Sequence, residues 1–247
     1  MILRMENYKY PTNEEWLKVS RTFPEMGGFG FSFIKDITLL LGGEKSIKEV
    51  HQIQNLYHWD LVLNTKIWNL RQSYVNTLVN FNRGIAQTDQ EFKSEEKVIH
   101  LNQFEFYFET TMYYLISARD VILQIINLAF IEKFSSEFDV RWGTSVISKI
   151  EDLKIKDILI TASNNLKEIN DLRNSMAHRF PKTTNDFRSS ISEDGKRYGS
   201  FKRKAIDYDK RVDKLKTGIE NLYSFYTELK LELGKKFPLE KPYSSAM

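Results

Sequence analysis

Between Val212 and Leu233 the residues Val212, Leu215, Ile219, Leu222, Tyr226, Leu229 and Leu233 recur in alternating steps of three and four. That spacing fits an α-helix with one narrow buried stripe, because an extended chain would divide its members between two opposite faces. A stripe this regular packs against other helices, within the chain or across a dimer. The C-terminal part of the chain is therefore committed to a helical bundle.

The remaining sequence reads as further helices separated by turn signals. Pro11-Thr12-Asn13 starts a short helix, with Asn13 as the N-cap and Glu14-Glu15 in the first turn. A helical pattern runs over 46–83, and 84–93 is a polar connection. A second long helix over 94–130 is rich in aromatic residues from Phe104 to Tyr114. Between Gly27 and Gly43 two periods compete: Phe29, Phe31 and Phe33 alternate, while Ile34, Ile37, Leu40 and Leu41 follow a helix, and helix is the preferred reading. After a loop near 138–143, another helix runs from about Ile155 towards Pro181, which disfavours helical geometry at Phe180. Glu193-Asp194-Gly195-Lys196 separates two short strand-compatible runs and predicts a β-hairpin. The expected architecture is all-α, a bundle of long antiparallel helices with a small β-hairpin inserted before the last helix. Residues 1–93 form an N-terminal helical region packing on the bundle, 94–237 the main helical domain, and 238–247 a loose tail.

Composition narrows the chemistry. The chain has 247 residues and 41% hydrophobic content, enough for a sizeable core. It has no cysteine, which excludes a thiolate nucleophile, a thiolate zinc site and disulfides, and fits a cytoplasmic protein. The most apolar stretches, 112–118 and 121–130, are split by Arg119-Asp120 and fall short of the ~20 residues a bilayer crossing needs. No membrane partner is expected. Gly42-Gly43-Glu44-Lys45-Ser46 breaks the order of a phosphate loop, and His51 and His58 lack a third ligand at suitable spacing, so neither cofactor nor metal is expected. Net charge is +3, but Arg179 to Lys216 carries twelve basic and six acidic residues. Such a basic block is a candidate phosphate-attracting surface.

One position breaks the pattern of its helix. Ile155, Leu159, Ala162, Leu166, Ile169, Arg173 and Met176 share one stripe, and six of the seven suit a packed core. An unpaired charge sunk in such a seam costs several kcal/mol, so Arg173 needs either a partner or a purpose. His178 follows, with the side chain best suited to proton transfer near neutral pH. On an ideal helix Asp171, Asn174 and His178 fall within about 60° of one another, while Arg173 lies about 140° from His178. Helix unwinding at His178, or a second copy approaching across a two-fold axis, would bring the two to one phosphate. On the preceding long helix Asn102, Glu105, Glu109, Asp120 and Asn127 share a sector of about 60°. Its acids are candidates to meet Arg173 or Arg119, and Glu105, Glu109, Arg119, Asp120 and Asp171 are the supporting residues. The competing reading is an internal ion pair for Arg173 and a dipole-stabilised His178 at a helix end.

Arg173-Asn174-Ser175-Met176-Ala177-His178, at the end of a long helix with long helices before and after it, resembles the Arg-x(4–6)-His signature of the HEPN superfamily over about 94–237. The resemblance implies a helical, often dimeric protein and a metal-independent RNA endonuclease of a defence or toxin–antitoxin system. Arg173 and His178 would then be the catalytic pair, with Asn174 assisting. The ribose 2′-OH would attack the adjacent phosphate and leave a 2′,3′-cyclic phosphate. Arg179, Lys182, Lys196, Arg197, Lys202, Arg203 and Lys204 are the candidates to hold the RNA backbone. The implied partners are RNA, a second copy of the chain, and an antitoxin or nucleotidyltransferase. The superfamily equally implies an alternative, a non-catalytic module that binds a nucleotide, RNA or protein.

Overall fold

The computed structural model describes residues 7–32, 46–131, 136–142, 144–178, 189–199 and 206–240. In chain order the described helices are α1 (Asn13–Ser20), α2 (Ile47–Asn82), α3 (Glu95–Phe130), the single turn α4 (Thr144–Ile147), α5 (Leu153–Asn165), α6 (Lys167–His178) and α7 (Tyr208–Lys236). Two three-residue strands, β1 (Ser189–Ile191) and β2 (Arg197–Gly199), pair antiparallel with Ser190 opposite Tyr198. The chain is all-α in class.

The long helices begin where the sequence offers side-chain acceptors. Ser46 and Glu49 form a reciprocal capping box at α2, Ser94 accepts from the Lys97 amide at α3, and Asp207 accepts from the Lys210 amide at α7. Thr12 caps α1, one residue before the expected Asn13, because its hydroxyl reaches the Glu15 amide at 3.3 Å while Glu15 returns to the Thr12 amide at 2.8 Å.

α2 and α3 have 36 residues each, about 54 Å at helical rise, and form the central antiparallel pair. Their direction shows in the contacts: Gln52 donates to the Leu128 carbonyl, Thr77 bonds Thr111, and Phe81 stacks near Phe104. α7 lies on this pair, with all seven residues of its stripe buried. Phe104 is fully buried and touches Phe81, Phe108 and Tyr208, joining α2, α3 and α7; burial of one such ring contributes about 2–3 kcal/mol. Over one 18-residue window α3 is apolar enough to cross a bilayer by length and composition, but 67% of that window is buried against the rest of the fold. One cluster of buried residues extends from Val19 to Leu233, so the N-terminal region and the bundle share a core. α1 is tied to the end of α2 by a two-pronged contact of Arg83 with Glu15, at 2.8 and 2.7 Å.

Three expectations need correction. The helix carrying Arg173 is interrupted at Leu166, which leaves helical geometry at φ −94° and ψ 1°. At the break the Asn165 carbonyl accepts from Asn221 of α7 at 3.0 Å, a partner 56 residues away in sequence. The seam nonetheless stays buried through Ile169. Secondly, 27–32 is not helical. The amides of Phe29, Gly30 and Phe31 donate to the Asp60 carboxylate at 2.5, 2.9 and 3.1 Å, and Gly28 donates to Asn64 at 3.3 Å. Three amides in a row make an anion cradle that helical hydrogen bonding would consume. The continuation, 33–45, lies outside the described residues. Thirdly, the tail begins anchored: Leu239 bridges Phe31, and the Glu240 amide donates to the Gly30 carbonyl at 2.7 Å.

Candidate functional site

The site begins with the approach of α6 to α3 and α7. Gly218 of α7 has Ile169 of α6 and Leu115 of α3 at the distance where a Cβ would collide, 2.9 and 3.2 Å. The absent side chain lets three helices converge and sets Ile169 into the core. One turn beyond Ile169 the same face carries Arg173. It lines a groove of about 490 Å³ with Glu109, Thr110, Met112, Tyr113 and Tyr114 of α3 and with Met176.

Among the described residues Arg173 has no ion-pair partner. Its Nε is buried and makes no hydrogen bond, while Nη1 donates to Asn174 Oδ1 at 2.9 Å. Asn174 therefore steadies the guanidinium without neutralising it. A buried N–H left unsatisfied costs about 1–3 kcal/mol, and an anion in the groove would remove that cost. Glu109 is the carboxylate of this groove. Burial first, and then the neighbouring Glu105 charge, raise its pKa above the usual glutamate range, with Arg211 opposing.

The other supporting acids are placed elsewhere. Glu105 accepts from Arg211 at 2.8 Å, and Arg211 is buried over the Tyr208 ring. Arg119 is buried, pairs with its neighbour Asp120 at 2.6 Å and sits 4.8 Å from the Trp142 ring centre. Asp171 is exposed on α6. Of these five residues only Glu109 joins Arg173 in the groove.

His178 is the last residue of α6, and the backbone is helical up to it; its side chain lies outside the described residues. Lys196 and Arg197 are exposed on the β1–β2 ribbon, where Lys196 pairs with Asp194 at 3.0 Å. Arg179, Lys182, Lys202, Arg203 and Lys204 lie outside the described residues.

Sequence reasoning missed Tyr113 and Tyr114, which count there only as members of the aromatic-rich run from Phe104 to Tyr114. The available signal was the two-turn step from Phe106 to Tyr113, which places both rings on one outward face of α3.

A family model described as Cthe2314-like HEPN matches residues 59–230. The match covers more than half of the chain and starts within α2, earlier than the resemblance to the Arg-x(4–6)-His signature suggested, because α2 supplies half of the central hairpin. No curated protein and no solved structure matches the chain. A HEPN domain points to a nuclease or a nucleotide-binding module. With the matched stretch running from the middle of α2 through the Arg173 helix to α7, the chain belongs to the Cthe2314-like HEPN family.

Proposed function

We propose that the protein is a metal-independent RNA endonuclease, acting as a homodimer in a defence or toxin–antitoxin setting. The observation that carries this reading is the Arg173 guanidinium, unpaired among the described residues, steadied by Asn174 and lining an accessible groove one turn before the end of α6. A planar fork of donors with spare valence in a partly desolvated groove suits a phosphodiester, and its affinity grows as charge builds on the equatorial oxygens.

In the reaction the 2′-oxygen forms a bond to the adjacent phosphorus and the bond to O5′ breaks. The 2′-OH proton passes to one imidazole and O5′ receives a proton from another, while Arg173 stabilises the phosphorane. Position 178 is about 140° around the helix from position 173, and the backbone stays helical between them. This favours a groove composed from two copies of α6, in which His178 from the two copies supplies the base and the acid. An antitoxin or nucleotidyltransferase would act by covering this groove.

The test is incubation of purified protein with single-stranded RNA in EDTA, beside Arg173→Ala and His178→Ala. Cleavage that leaves 2′,3′-cyclic phosphate ends and vanishes in both variants is the expected result. Affinity for RNA or a nucleotide without any cleavage would replace the enzyme with the binding module. Cleavage that persists in His178→Ala would refute the assignment of the catalytic pair.

A further inference from the structure

The α3 wall of the Arg173 groove carries Tyr113 and Tyr114, with ring centres 5.3 Å apart and planes at 74°. Tyr113 is 49% exposed. Lys66 of α2 places its ammonium 5.8 Å from the Tyr113 ring centre and 5.7 Å from that of Tyr114, and it has no ion-pair partner among the described residues. A single exposed tyrosine is unremarkable on a protein surface. Here an exposed ring lies beside Lys66 of α2 and lines the groove that Arg173 of α6 also lines, two cations with no carboxylate partner among the described residues.

We propose that Tyr113 is a base-stacking platform for single-stranded RNA, with Lys66 holding the backbone beside it. This rests on Arg173 as the phosphate ligand and extends that reading to the nucleotide next to the bound phosphate. The groove divides by chemistry. Arg173 supplies the cationic end for the phosphodiester, while the α3 wall offers a ring and the Glu109 carboxylate. A carboxylate repels phosphate but accepts from the N–H edge of a base, so the α3 wall suits a base and not the backbone. A base within a duplex has both faces occupied and cannot reach Tyr113; an unpaired base can be splayed onto it. A second copy of the chain is the less suitable occupant of the Tyr113 ring itself, because interface centres are depleted in charge and this ring has Lys66 and Glu109 for neighbours.

The experiment measures the affinity of the full chain for a 12-nucleotide single-stranded RNA containing 2-aminopurine, in the non-cleaving His178→Ala background. Tyr113→Ala, Tyr113→Phe and Lys66→Ala are compared, with a perfect RNA duplex as control and thermal melts to verify folding. Tyr113→Ala is expected to weaken binding roughly 5- to 150-fold and abolish 2-aminopurine quenching, the effect of losing one base–aromatic stack. Tyr113→Phe, which keeps the ring, retains both. Lys66→Ala weakens binding and lowers the salt dependence by about 0.7 in log–log slope. The duplex binds more weakly than the single strand. Tyr113-dependent binding in a wild-type protein that never cleaves RNA would support this inference and sink the nuclease. Cleavage by wild type with unchanged affinity in Tyr113→Ala would do the reverse. Conversion of a dimer to a monomer by Tyr113→Ala, with affinity unchanged, would assign the ring to a second copy and overturn the inference.

Discussion

If Arg173 is kept for ligand binding, its replacement by methionine should make the protein more stable. The residue follows buried Ile169 by one turn on the seam of α6, and its Nε is enclosed without an acceptor. An unsatisfied buried donor costs about 1–3 kcal/mol, and methionine removes it while keeping a long unbranched apolar stem in the same place. The substitution also loses the bond from Nη1 to Asn174, about 0.5–1.5 kcal/mol. The balance is a gain of about 1 kcal/mol, equivalent to a rise in Tm of about 2–4 °C for a chain of this length. Urea unfolding of wild type and Arg173→Met at pH 7, followed by circular dichroism, reads the difference directly. A methionine variant less stable than wild type by about 1 kcal/mol or more would show that the guanidinium supports the fold, and the argument from its missing partner would fail. A more stable variant that no longer cleaves or binds RNA would show a binding group maintained against the interest of the core.

Two further outcomes probe the N-terminal segment. Gly30 has φ +98° and its added methyl would overlap the Glu240 carbonyl oxygen, so Gly30→Ala should lower the urea midpoint by the equivalent of about 2 kcal/mol with an unchanged slope; no change would contradict the anchoring of 239–240. Glu15 is held down to a pKa of about 2, chiefly by its hydrogen bond from Arg83, so its stabilising contribution is complete above the ordinary glutamate range and is lost as pH falls towards 2. The stability gap between wild type and Glu15→Gln should stay below about 1 kcal/mol, since the carboxylate is about one-third exposed, and should narrow as pH falls below the ordinary glutamate range and close towards pH 2; a gap independent of pH would refute the pairing.

What could be read from the chain followed the range of the interactions concerned. The stripe from Val212 to Leu233 is visible because helical burial repeats every three or four residues, and every member is buried. The anomaly at Arg173 was visible for the same reason. The interruption at Leu166 was not, and the contact made there comes from Asn221, which is 56 residues from the carbonyl it binds. Asp60 looked like an ordinary polar residue in a long helix, and its role depends on amides about thirty residues earlier. Gly27-Gly28-Phe29-Gly30 carried the available hint, since a side chain at Gly28 would press on the Asp60 carboxylate at 2.9 Å. Pairings of acids on α3 were equally illegible: a helical wheel gives the direction of Glu105 but not that Arg211 of α7 waits there.

The cradle at Asp60 bears on how the molecule can be divided. Phe29 stacks 4.9 Å from the Tyr226 ring, the Tyr226 hydroxyl donates to the Gly28 carbonyl, and the same short segment closes over a carboxylate whose pKa burial has raised. The stretch that the HEPN family model matches begins at Trp59 and ends at Lys230. Excised at those points, it would keep Asp60 and Tyr226 but lose what covers them, leaving an apolar aromatic and a demanding anion facing water. The matched stretch is thus narrower than the unit that can fold by itself, and a minimal fragment for biochemistry must be cut wide enough to keep 27–31 over Asp60 and Tyr226.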